Sequence, residues 1–162
     1  MKKGAIYSNA RDFFDGDNSW GREHNNANMD NAALDAHWGA QVTYDYWKNV
    51  HRRNSYDDHG SKLKGYVHTN LIGLGNPDND NAFWDGERMI YGDGEYYFSP
   101  VTSLDVVAHE IGHAITDSTA GLVYKEESGA LNEGFSDIWA ACIEHYKAPE
   151  KANWLIGRIS LR

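Results

Sequence analysis

The stretch VVAHEIGHAITDSTAG, residues 106–121, places two histidines four positions apart, with a glutamate directly after the first. Apolar residues recur at Val106, Val107, Ile111 and Ile115, Thr102 precedes Asp105 by three positions in a capping-box-like start, and Gly121 offers a left-handed stop. The segment reads as a helix of about four or five turns. Positions i and i+4 share a helix face, so His109 and His113 present their rings side by side, within reach of one metal ion. Glu110 lies about 100° further round the helix and leans toward a water on that metal. Two unrelated surface or core histidines are the bland alternative, which a third ligand would displace.

A catalytic zinc site takes three protein ligands and leaves one position open. Downstream comes LVYKEESGALNEGFSDIWAACIEHY, residues 122–146, in which Ser128 and Gly129 end a connection. Leu131, Phe135, Ile138, Trp139, Cys142 and Ile143 then fall at the spacing of a buried helix. Glu133 and Asp137 are four apart on it and share a face. Two carboxylates one turn apart on an apolar helix are costly to bury unless cations or donors meet them. Either acid alone is ordinarily a solvated side chain; beside a His-Glu-x-x-His helix, the pair favours a metal.

HEIGHAITDSTAGLVYKEESGALNEGFSD, residues 109–137, resembles the zinc-binding segment of the thermolysin-like metallopeptidases. Upstream, DAHWGAQVTYDYWKNVHRRNSYD (35–57) is similar to that family's first long helix, NAFWDGERMIYGDG (81–94) to its substrate-edge strand and hairpin, and SLDVVAHE (103–110) to the start of its zinc helix. The resemblance runs from about Ile6 to Gly157. It implies one zinc ion held by His109, His113 and Glu133, with Glu110 as general base. It implies that Asp137 orients the His109 ring, that Tyr124 hydrogen-bonds the oxyanion, and that Asn81 and Ala82 align a peptide by strand addition. It also implies secretion, and a calcium site at Asp105 and Glu144, completed by Asn153 and a carbonyl near Leu155. Ala141 and Arg158 stand where relatives have acids, so one calcium ion is expected rather than two; helix-dipole stabilisation by Asp105 is the competing reading.

The family's second, mostly helical domain supplies a cleft histidine and arginine that these 162 residues do not contain. The expectation is therefore a single zinc-bearing domain, residues 1–162, trimmed at both ends and lacking the helical domain. Its zinc face is expected to be open to solvent, with Val106 and Ile156 uncovered and the chain self-associating through them. Two functions remain: a zinc metalloendopeptidase of reduced activity, or a zinc-binding, peptide-docking domain with little turnover. Retention of Glu110 and Tyr124, which zinc binding alone does not need, favours the first.

The remaining chain reads as an α+β domain with a twisted, largely antiparallel sheet packed on long helices. A helix spans about residues 29–50, with Ala33, Leu34, His37, Trp38, Val42, Tyr46 and Trp47 near its inner side. YDDHGSK is a turn, KGYVHTNLI a strand, GLGNPDNDN a loop, AFW-DG-ERMIYG a hairpin and EYYF a further strand. A net charge of −9 argues against nucleic-acid partners, and Cys142 is the single cysteine, so no internal disulfide forms. The first residues, MKKGAIYSNARDFF, lack the apolar run of a signal peptide, and no segment reaches membrane-spanning length.

Overall fold

Small residues bring the helices of this chain together. In the computed structural model, which describes residues 9–13 and 30–157, helix α1 covers Asp30–His51, α2 Leu104–Ser118 and α3 Glu126–Lys147. The buried face of α1 is Ala32, Ala36, Gly39, Val42, Thr43, Tyr46 and Trp47. A Cβ on Gly39 would lie 3.0 Å from both Cβ and Cγ1 of Val107, so α1 meets α2 where it lacks a side chain. Val42, Tyr46 and Trp47 are buried as expected, but Trp38 is 45% exposed and His37 also faces solvent. Large apolar residues marked the wrong edge of the stripe because close helix approach selects small ones. The Trp38 ring instead takes the Lys147 ammonium 5.9 Å from its centroid.

Helices α2 and α3 cross closer still. A Cβ on Gly112 would sit 3.0 Å from the Ser136 Cα, and Gly129, Asn132, Ser136, Ala140, Ala141, Ile143 and Glu144 form the buried part of α3. Consequently Leu131 and Ile138, expected in a core, are 52% and 54% exposed, and Phe135 lies on the same open side. Their helical spacing marks an apolar face that nothing among the described residues covers. Val106 and Ile156, expected uncovered, are partly buried against the core.

The sheet has three short strands: β1 Gly65–Tyr66, β2 Ala82–Trp84 and β3 Met89–Tyr91, in the order β1-β3-β2. It is mixed, β1 running parallel to β3 and β2 antiparallel to it. Of KGYVHTNLI only Gly65 and Tyr66 join the ladder, and Leu71 leaves it to fill the core. In the β2–β3 hairpin the Asp85 N–H donates to Arg88 O at 3.0 Å. The two residues at the tip are therefore Gly86 and Glu87, one position beyond the Asp-Gly reading, with Gly86 at φ 95°. Met89 and Tyr91 are buried in one cluster with Val107, Ala108 and Ile111 of α2, so the sheet backs the helix that carries the two histidines; Ile90, between them, is buried on the other face.

Residues 95–98, EYYF, form a loop instead of a strand, because Asp80 captures their backbone. Its carboxylate accepts the N–H groups of Glu95, Tyr96, Tyr97 and Phe98 at 2.6, 2.7, 3.0 and 3.1 Å. Desolvation pushes the Asp80 carboxyl upward, but the four donors together outweigh it and hold it at about 2. A carboxyl depressed in the folded state contributes stability above its unfolded value of 3.8, lost as pH falls through about 2. The amide resonances of residues 95–98 should therefore titrate near pH 2. Asp80→Ala should shift them at neutral pH; a midpoint near 4 would mean that the clamp does not hold the loop.

Candidate metal centre

Helix α2 begins at the N-cap Ser103, one residue after the expected Thr102, and the Asp105 carboxylate does not act as a capping box. It accepts Ser103 Oγ at 2.5 Å and the Val106 N–H at 3.0 Å through one oxygen, and the Gly157 N–H at 2.5 Å through the other. Buried Glu144 likewise accepts the Asn153 N–H at 3.3 Å, and Asn153 Oδ1 accepts that of Leu155 at 2.8 Å. Both acids assigned to calcium thus engage the backbone of the 153–157 segment, while Arg158 lies outside the described residues. At its other end α2 stops where Gly121, at φ 57°, donates to Thr116 O at 2.8 Å.

Between these ends, His109, His113 and Glu133 converge. Each offers a ligand atom, and the three atoms lie within 4.8 Å of one another; among the described residues no other group of three His, Cys, Asp or Glu side chains does so. The two Nε2 atoms are 3.0 Å apart, His109 Nε2 is 3.2 Å from one Glu133 oxygen, and His113 Nε2 is 3.6 Å from the other. Such proximity requires the rings to be aimed from behind. His109 Nδ1 meets Asp137 Oδ1 at 2.8 Å, and His113 Nδ1 meets Asn132 Oδ1 at 2.7 Å. With Nδ1–H donated to an oxygen, each ring turns the lone pair of Nε2 toward the centre, the tautomer that a metal takes. Two imidazoles and a carboxylate, with a fourth direction open, form a donor set that fits zinc. Burial first, then His113, holds the His109 ring below its usual value, favouring its neutral form; Asp137 and Glu133 oppose this.

Glu110 is buried behind the cluster. Its carboxylate accepts the backbone N–H of Trp84 in β2, while Oε2 is buried with no partner in the protein. Burial pushes this carboxyl up to about 8, the Trp84 N–H opposing and the Glu133 charge adding. A cation at the three ligands favours its ionised form. The Tyr124 side chain, 66% exposed, donates its hydroxyl to Glu133, placing the phenol beside the ligands.

Asn81 and Ala82 stand at the start of β2. Gly92 N–H donates to Asn81 O and Asp85 N–H to Arg88 O, both at 3.0 Å, so the odd-numbered residues face β3. Strand alternation then turns the backbone groups of Ala82 and Trp84 to the other edge. The Ala82 N–H folds back on Asn81 Oδ1 at 2.9 Å. Asn132 was missed in the sequence; its signal was a polar pair, Asn132 and Ser136, four apart on the small-residue face of α3. Asn132→Ala should lower zinc affinity about 10- to 100-fold while leaving the fold intact, read by competition with a chromophoric chelator. Unchanged affinity would mean that His113 needs no such orientation.

Residues 1–117 match the family model described as thermolysin metallopeptidase, catalytic domain, and residues 120–162 the one described as thermolysin metallopeptidase, alpha-helical domain. The chain is 48% identical over 145 residues to a bacillolysin of Brevibacillus brevis, covering 88% of this chain and 24% of that protein. The same figures describe its similarity to a thermolysin of Alicyclobacillus acidocaldarius subsp. acidocaldarius. Among solved structures it resembles the precursor of protealysin, a metalloproteinase from Serratia proteamaculans, with a TM-score of 0.73 and 38% identity over 86% of this chain and 43% of that one. These 162 residues span about a quarter of the length of the curated relatives. The converging His109, His113 and Glu133 and the matches along the whole chain agree: it belongs to the thermolysin metallopeptidase family.

Proposed function

We propose that the chain carries the zinc centre of a metalloendopeptidase that hydrolyses peptide bonds. The observation that carries this reading is buried Glu110 beside the three-ligand cluster, with one oxygen on the edge strand and the other without a partner. Zinc binding alone needs no such group. Held by His109, His113 and Glu133, zinc supplies Lewis acidity that activates a water and polarises a carbonyl. Glu110 Oε2 takes the proton of the attacking water, and its return to the amine completes cleavage. Tyr124, freed from Glu133, donates its O–H to the oxyanion. The outward carbonyl of Ala82 accepts a substrate N–H and extends the sheet by one strand, with the Asn81 amide beside it.

Among these 162 residues the only histidine after His113 is His145, whose Nε2 is buried and whose ring packs 5.1 Å from Trp154. Tyr124 lies beside the ligands as an oxyanion donor, and removal of such a donor costs about a hundred- to a thousandfold in rate. Action outside the cell belongs to the proposal through family resemblance; no described helix is long and apolar enough to cross a membrane.

The test compares zinc-loaded parent and Glu110→Gln on a casein-derived peptide. The variant should keep about one zinc per chain and lose hydrolysis, because the base is not a ligand. Cleavage by the variant at the parental rate would overturn the role of Glu110, and a zinc-loaded parent without turnover would favour a peptide-docking domain.

A further inference from the structure

Glu110 and Asp117 are seven residues apart on α2, so they lie about 20° apart around the helix and about 10.5 Å apart along it. One residue of the edge strand touches both. The backbone N–H of Trp84 hydrogen-bonds the Glu110 carboxylate, and its indole Nε1–H donates to Asp117 Oδ2 at 2.7 Å. The same indole packs on the Tyr56 ring, with centroids 5.3 Å apart and planes inclined by 59°. Trp84 is therefore tied to the helix of the two histidines at two points two turns apart, and its ring has little freedom.

The location of Asp117 needs a reason. It falls in the last turn of α2, where the helix dipole disfavours an acid, and it is exposed, so it fills no core. Its four-residue spacing from His113, itself four from His109, places it on the stripe that presents the ligands. The strand it holds is the one whose Ala82 carbonyl looks outward, and a peptide laid along that edge is registered by whatever fixes β2 against α2.

We propose that Asp117 is a positioning residue that acts through the Trp84 indole to set β2, and with it the Trp84 N–H, against Glu110. This rests on the peptidase reading for its role in turnover, but the latch itself is read without turnover. Hydrogen exchange of the Trp84 backbone amide, followed by NMR, should accelerate roughly tenfold in Asp117→Ala and stay near the parental rate in Asp117→Asn, whose amide oxygen still accepts the indole N–H. In the zinc-loaded chain, kcat/KM for a peptide long enough to pair with Ala82 should fall roughly tenfold in Asp117→Ala and in Trp84→Phe. The double variant should lose no more than either alone, because both remove one hydrogen bond. Zinc content should match the parent's in all of them. Parental exchange in Asp117→Ala, losses that multiply in the double variant, or an Asp117→Asn variant as impaired as the alanine would each overturn the proposal. If the chain shows no turnover, the peptidase reading fails while the exchange result still decides the latch.

Discussion

The close crossing of α2 and α3 is the constraint on which the centre depends. At Gly112 a single Cβ would lie 3.0 Å from the Ser136 Cα, so α2 admits no larger residue there without the two helices moving apart. That separation decides whether a carboxylate on one helix and two imidazoles on the other share one ion. Ligands His109 and His113 flank Gly112, and on α3 Glu133, Asn132 and Asp137 surround Ser136. The residues that touch the metal and those that aim them are thus set by one helix–helix contact.

Burial does the rest of the electrostatic work. The sheet and α1 cover the far side of α2, leaving Glu110 in a low-dielectric site with one strand amide as its donor. Such a carboxyl is held near 8, and a neighbouring cation pulls it back toward ionisation, which couples the base to the ion beside it. Glu133 contributes to both, as a ligand atom and as a negative charge near Glu110.

Local spacing made much of this legible. The i, i+4 histidines, the glutamate after the first and the Glu133–Asp137 pair needed only helical geometry, and the α+β class followed from the order of elements. Features that depend on packing were harder to read. The inner face of α1 runs through Ala32, Ala36 and Gly39, which carry little hydrophobic signal, whereas Trp38 carries much and faces out. The parallel pairing of β1 with β3 joins residues 24 apart, Gly65 with Met89, and no local spacing marks it. EYYF has strand composition, but a carboxylate fifteen residues upstream takes its amides. Trp84 and Asp117 meet across 33 residues, and neither looks unusual alone.

X-ray absorption at the zinc edge of the loaded chain reads whether His109, His113 and Glu133 share one ion. The loaded chain should show about one zinc with two imidazole nitrogens and a carboxylate oxygen at about 2.0–2.2 Å, and His113→Ala should lose the ordered imidazole signal. A sulfur scatterer near 2.3 Å, which would bring in Cys142, or a spectrum unchanged in His113→Ala would place the metal elsewhere and contradict this assignment.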